Sequence, residues 1–575
     1  MRSKRSWMHK GLILQDLRSF GWVSVLYAFI LFFLFPMQVM MELSSSDNSA
    51  NPYYSFDNMF EAMFQTNELF SVFLIATYPV LVGMIMFRYT HVKLSVDTLH
   101  SMPFTRTQSF WSHVTSASIL LYVPVLINFL VLLLIQLFTG VGGDIYIPLA
   151  WEWTWQLLLG NSFMFAIAVF IGMCTGLTLL QGALVYILMA FPAGITLLSV
   201  FNAKQWLQGI PIDYFVSRSL ELFIPLFNLI ENFEQDVNYV ELIAYILLTI
   251  GIIVASWGVY KFRPSEAANQ AVAFRWLQPV FVFGIATCFM LLFGLYFGET
   301  NQSKPWLLAG YFFGGLFGYT IAQMILNKSI RIFHKWRGFV GFAGVVAILI
   351  MGLHFDALGF QKRVPDVAEI DAVYFSEYLS DYSVYRSLQQ LPGDDRPSEF
   401  VRMARKNYES PEAIAILQAL HKEITATIPF EMNRYEMSDF ISFGYTLANG
   451  DELVRSYQVT KGTFDRFFAQ LYETKEFKDN SILSNKEIEG IRQIGIYGQN
   501  DSTPITNKED IQTFMEILKR AIQDETGEER LQAENEWKYG NGLQSIGIEL
   551  ENNFVDIPLG EHYTELRTWL EENGY

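Results

Sequence analysis

Nine stretches of the chain stay apolar over the length, about 20 residues, that a helix needs to cross a hydrocarbon core of about 30 Å. They are Phe20–Met41, Leu69–Phe87, Val114–Thr139, Trp155–Leu180, Gly182–Asn202, Leu242–Tyr260, Leu277–Phe297, Trp306–Leu326 and Phe339–Phe355. None holds Lys, Arg, Asp or Glu in its central portion, and only His354 comes close, near the end of the ninth. The first is too long for the apolar part of a secretory signal and lacks a small-x-small cleavage site before Glu42, so it reads as a retained span. After Phe355 the pattern turns to short alternating and helix-spaced apolar runs between polar turns. Phe440–Thr460 reads as a hairpin about Ala448-Asn449-Gly450-Asp451, where Asn-Gly favours a type I′ turn. Ser410-Pro411-Glu412 and Asn507 open helices, residues 543–551 read as a strand, and Glu561–Glu572 as a closing helix. The expected fold is a polytopic α-helical membrane protein of about nine spans, carrying a C-terminal soluble α+β domain over residues 357–575.

Charge sharpens this division. Only 17% of the 575 residues are charged, against about 25% in soluble domains, so a single soluble globule is excluded. From Asp356 onward there are 40 acidic and 22 basic residues, against 17 and 18 before it, so the net charge of −17 belongs almost wholly to the C-terminal region. With no net basic surface to neutralise phosphates, nucleic acid is not an expected partner; the lipid bilayer is. Cys174 and Cys288 both fall in apolar stretches, which leaves neither a disulfide framework nor a cysteine metal site.

The short loops carry their basic residues alternately, which sets orientation. Arg2, Lys4, Arg5, Lys10 and Arg18 precede the first span; Arg88, Lys93 and Arg106 follow the second. Lys261, Arg263 and Arg275 follow the sixth, and Lys328, Arg331, Lys335 and Arg337 the eighth. The intervening loops are acidic. A cytoplasmic N-terminus and nine crossings of the plasma membrane place the acidic C-terminal domain outside the cell. Seven tryptophans, among them Trp22, Trp153, Trp257 and Trp336, sit at span ends as an interfacial belt would have them.

Ion-coupled pumps and intramembrane proteases need ionisable groups at depth. Their absence from the span centres argues against both and predicts that energy is supplied from elsewhere. Small residues in the eighth span, Gly310, Gly314 and Gly318, repeat at four-residue spacing and predict close helix packing.

Two basic segments are patterned rather than merely connecting. Met1–Ser19 sets Trp7, Ile13, Leu14 and Leu17 among basic residues, as an amphipathic helix on the membrane surface does. Arg88–His113 spaces Val96, Leu99 and Met102 three apart, breaks at Pro103, and resumes after Arg106. The first helix ending in LILQDLRSFGW, and the stretch FR…SVDTLHSMPFTR between spans two and three, resemble ABC-2-type transporter permeases. The segment FRPSEAANQAVAF after span six resembles a Gram-positive sub-group with extra spans and an extracytoplasmic C-terminal domain. The resemblance implies a six-helix core over 20–263 after the amphipathic segment 1–19, three additional spans over 264–356, and the outer domain. It also implies that an ATPase subunit docks on a cytoplasmic coupling element, which maps onto Ser95, Val96, Leu99, Met102, Pro103 and Arg106, and that a second permease chain, identical or related, frames the pathway. Consistent with this, no G-x-x-x-x-G-K-[S/T] occurs in the sequence, so ATP is expected on the partner and no cofactor in this chain.

No catalytic or metal set is evident in the C-terminal region. His421 and His562 are its only histidines and lie far apart in sequence; its paired acids, such as Asp394–Asp395, are adjacent and so face apart. Binding or gating is the expected role, with a peptide, a cell-wall precursor or an envelope protein as ligand. The leading expectation is therefore an exporter permease, not an enzyme in itself. The alternative is a ligand-sensing membrane protein whose outer domain binds an envelope molecule or antimicrobial peptide.

Overall fold

The computed structural model describes residues 7–45, 56–139, 146–223, 239–301, 303–389, 398–427, 438–497, 504–539, 544–550 and 554–575. The chain divides into two compact units, Met1–Leu198 with Ser219–Gly344, and Ser199–Arg218 with Val345–Tyr575. Arg2, Lys4 and Arg5 lie outside the described residues, as do Asp394 and Asp395.

Twelve α-helices precede residue 355 among the described residues: α1 (Lys10–Leu34), α2 (Pro36–Ser45), α3 (Phe56–Met86), α4 (Lys93–Ser101), α5 (Arg106–Thr139), α6 (Tyr146–Cys174), α7 (Thr178–Lys204), α8 (Ile212–Phe223), α9 (Tyr239–Phe262), α10 (Leu277–Asn301), α11 (Lys304–Asn327) and α12 (Trp336–His354). Among the described residues, eight segments are long and apolar enough to cross a bilayer: Lys10–Met41, where α1 runs into α2, and α5, α6, α7, α9, α10, α11 and α12 in whole or most part. The described apolar part of α3, Phe70–Met86, is shorter and coincides with the second of the nine stretches read from sequence. The outward faces carry large apolar side chains such as Leu179, Leu247, Val280 and Ile348, the surface that lipid covers. This is a multi-span membrane protein.

Several boundaries differ from the sequence reading, three of them for a visible physical reason. Residues 10–19 are the opening turns of α1 rather than a separate surface helix, because no breaker interrupts the helix before Phe35. There Pro36, with no N–H to donate, ends α1 and starts α2. The fourth span ends at Cys174, not Leu180, since the chain turns at Gly176; a Cβ on Gly176 would sit 2.0 Å from the Ala267 carbonyl oxygen.

The core of the helical unit is shared by α1, α3, α5 and α6. Tyr27 of α1 stacks on Tyr78 of α3 with ring centroids 3.7 Å apart, and Phe35 stacks on Trp153 of α6. The glycine stripe of α11 lets it press against α10: a Cβ on Gly314 would meet the Phe289 carbonyl at 2.4 Å and one on Gly310 the Phe293 carbonyl at 2.6 Å. By contrast, Gly341 and Gly344 of α12 face open space.

The described residues of the C-terminal unit form two antiparallel sheets, each backed by helices. The first contains β1 (Ile370–Ser376), β2 (Asn407–Tyr408), β3 (Ser438–Leu447) and β4 (Glu452–Thr460) in the order β2-β1-β3-β4. Around it lie α13 (Ser380–Gln389), α14 (Ser398–Ala404), α15 (Pro411–Ala426), α16 (Asp465–Glu473), α17 (Lys475–Asn480) and α18 (Asn485–Glu489). The second contains β5 (Ile491–Tyr497), β6 (Ser545–Leu550) and β7 (Phe554–Pro558) in sequence order, with α19 (Lys508–Asp524), α20 (Gly527–Tyr539) and α21 (Thr564–Asn573). Ser410 and Asn507 cap α15 and α19 with their side-chain oxygens, as their sequence positions predict.

The β3–β4 hairpin closes differently from expectation. A type I′ turn needs positive φ at both central residues, but only Gly450 is left-handed (φ 84°). The Gly450 N–H donates to the Leu447 carbonyl at 2.8 Å and the Leu447 N–H to the Asp451 carbonyl at 2.9 Å, a type I turn followed by a glycine bulge.

One loop from the helical half belongs to this unit. Ser456 of β4 donates its N–H to the Gly209 carbonyl at 3.2 Å. Asp213 accepts from the backbone N–H groups of Leu379 and of Ser380 (3.2 Å), capping the positive end of α13. The segment after α7 and the C-terminal region therefore lie on the same side of the membrane, which requires an even number of crossings between them.

Candidate functional site

The Arg88–Arg106 segment folds as a turn, the nine-residue helix α4, and a tight Met102-Pro103-Phe104 corner leading into α5. Pro103 stops α4, and the sequence Thr105-Arg106-Thr107-Gln108 restarts the helix through a reciprocal cap. The Gln108 N–H donates to Thr105 Oγ1 (3.2 Å) while the Thr105 N–H donates to Gln108 Oε1 (3.1 Å).

Beneath α4, two arginines satisfy the carbonyls that helix C-termini leave without partners. Arg106 Nη1 donates to the carbonyls of Tyr260 (3.5 Å), Lys261 (3.2 Å) and Arg263 (2.8 Å), at the end of α9. Arg263 donates to Gly172 (2.6 Å), Met173 (3.1 Å) and Thr175 (2.6 Å), at the end of α6, and to Thr90 (3.1 Å), just before α4. Each cation also meets the negative end of a helix dipole. Only 5% of Arg263 is exposed, and burial lowers its pKa to about 10, so it remains charged at neutral pH.

His91 completes the layer. Burial lowers its pKa to about 4, leaving a neutral ring at pH 7. The Gly172 carbonyl can only accept, so Nε2–H donates to it at 3.0 Å and Nδ1 accepts from the Thr178 hydroxyl at 3.0 Å. Alongside, the Gly176 N–H donates to the Gln270 carbonyl (2.9 Å), the Asn269 N–H to the Gly176 carbonyl (2.8 Å), and Lys328 reaches Asn269 Oδ1 (3.1 Å). The start of α1 joins through the His9 N–H, which donates to Ser112 Oγ at 2.8 Å, and through a buried Asp16–His113 contact of 2.8 Å. Segments bearing basic residues in the sequence thus meet at one end of the helical unit.

The residues mapped onto the coupling element separate by role. Val96 is buried, lining a small void with Tyr89, Tyr260 and Pro264; Ser95 and Leu99 are half-buried. Met102 and Pro103 are exposed, and Arg106 is the anchor just described. Leu94, 79% exposed, is the most prominent apolar side chain on α4. Leu94 escaped the three-residue spacing, whereas His91, Arg263 and the Asp16–His113 pair gave only weak signals: a polar or basic residue where a long apolar run ends. Among the described residues no group of three or more His, Cys, Asp or Glu is arranged to hold a metal. In the C-terminal unit His421 lies between the Tyr445 and Tyr457 hydroxyls (3.0 and 2.9 Å), while His562 pairs with Glu525 (2.8 Å), so each histidine has its own setting.

No protein-family model, no curated protein and no solved structure matches this chain.

Proposed function

We propose that the chain is the transmembrane permease subunit of an ABC transporter, an exporter driven by a separate ATP-binding subunit that docks on α4. In this reading α4 and the N-terminus face the cytoplasm, the C-terminal unit lies outside the cell, and a second permease chain completes the pathway. The observation that carries it is the seating of α4. A force on this short helix passes into α5 through the Thr105–Gln108 cap, into α9 through Arg106, and into α6 through Arg263 beside it. A passive interfacial loop has no need of a buried arginine holding four carbonyls under it. Leu94 and Met102 stand outward as the contact a partner would grip. The basic residues of the loops gathered at this end support the cytoplasmic assignment.

The test is co-purification of the chain with a P-loop ATPase from its own cells, and ATPase activity of the pair in liposomes. Leu94→Asp and Met102→Asp should insert normally yet lose the partner and the coupled activity. Full coupling in both variants would remove α4 as the docking element.

A further inference from the structure

The two lobes of the C-terminal unit meet along α16 and α20, where Gly527 packs so closely that a Cβ would lie 1.9 Å from the Ala469 carbonyl oxygen. Beside this contact a cavity of about 380 Å³ opens between them, a size that suits a small organic molecule. Phe468 and Tyr472 line it from α16, Phe440 and Tyr378 form one rim with rings 5.8 Å apart, and Tyr539 of α20 stands among its lining residues.

Most of the charged groups around the cavity are matched locally. Lys538 pairs with Glu377, and Glu534 accepts from Arg530 (3.1 Å) and from the Tyr472 hydroxyl (2.7 Å). Asp439 and Asp465 are different: both line the cavity, and Lys461 lines an adjoining pocket that shares Asp465 and Tyr539 with it. The Tyr539 hydroxyl donates to Asp439, and the Lys461 ammonium lies over the Tyr539 ring, 3.4 Å from its centroid. Burial and the neighbouring Asp439 carboxylate raise the pKa of Asp465. Two carboxylates, an aromatic face and the ammonium lying upon it form a cation site occupied by the protein's own lysine.

We propose that this cleft binds an organic cation, an ammonium or guanidinium group carried on an aromatic or branched alkyl body. The charged head takes the place of Lys461 on Tyr539, between Asp439 and Asp465, and the body lies against Phe440 and Phe468. The site stands independently of the permease reading, since neither nucleotide nor ATPase enters it.

Calorimetric titration of the full chain in detergent with benzyltrimethylammonium, benzyl alcohol and benzoate tests the proposal. The cation should bind saturably and the other two should not. Asp465→Asn and Tyr539→Leu should each weaken binding about tenfold, whereas Tyr539→Phe, which keeps the ring, should retain most of it. Lys461→Gln removes the internal competitor and should tighten binding several-fold, an outcome that a merely structural cleft would not produce. Because Lys461 is only half-buried, that variant keeps the test decisive if Asp465→Asn fails to fold. Equal heats for the cation and the alcohol, or weaker binding in Lys461→Gln, would overturn the assignment.

Discussion

Arg106 donates through Nη1 to the carbonyl of Arg263 at 2.8 Å, while the Arg263 guanidinium reaches on to the end of α6. One arginine thus holds the backbone of the other, and the two tie the start of α5 to the ends of α9 and α6. Both cations sit on helix C-termini, where carbonyls without intrahelical partners would otherwise be buried.

Replacing Arg263 with Met strips four carbonyls of their donors. We expect a loss of about 3 kcal/mol, read as a lower unfolding temperature in detergent. Arg263→Lys should recover only part of this, because a point-like ammonium cannot span the fork that the guanidinium fills. Unchanged unfolding in Arg263→Met would show that the carbonyls find other partners.

Leu94→Asp and Met102→Asp, in contrast, alter exposed positions and should shift stability by no more than about 0.5 kcal/mol. Their effect belongs to partner binding, so unfolding and co-purification should part company.

The glycine stripe predicts a contrast within two neighbouring helices. Gly314→Val places a side chain against the Phe289 carbonyl and should push α11 from α10, lowering the unfolding temperature and the yield of inserted protein. Gly341→Val meets open space and should be tolerated in both measurements.

His421 predicts a pH effect of defined sign. Burial lowers its pKa from 6.5 to about 3, so in the folded chain it stays neutral while the unfolded chain takes up a proton. Its contribution to stability is therefore full above pH 6.5 and is lost as pH falls towards 3, at up to about 1.4 kcal/mol per pH unit. His421→Gln should flatten the difference in denaturant-unfolding free energy between pH 7 and pH 5 relative to the native chain. An identical pH dependence in the two proteins would assign the effect to other groups.

The long apolar runs could be read in advance because spanning a bilayer leaves so few choices of length and composition. Ser410-Pro411 and Asn507 were equally legible, since a cap is a local device. Boundaries decided by tertiary contact were not. The end of α6 at Cys174 depends on Gly176 docking against residues 267–270, nearly a hundred positions away, and within the run from 155 to 180 only Gly176 itself hints at it. The same holds for the Asn449-Gly450 turn, where the pairing of Leu447 with Asp451 leaves three residues to connect and only Gly450 turns left-handed. At the site, the spacing of Val96, Leu99 and Met102 located α4 but mixed its buried and exposed faces. Arg106 stood within the segment, yet its role as a cap for α9 exists only once α9 is brought beside it.

The account depends most on α4 and the C-terminal unit lying on opposite sides of the membrane. With Cys174 and Cys288 replaced by Ser, single cysteines at Leu94→Cys and Glu571→Cys can be challenged by a membrane-impermeant maleimide on spheroplasts. We predict labelling of Glu571→Cys on intact spheroplasts and of Leu94→Cys only after lysis. Labelling of Leu94→Cys on intact spheroplasts would place α4 beyond the reach of any cytoplasmic ATPase and contradict the proposed function.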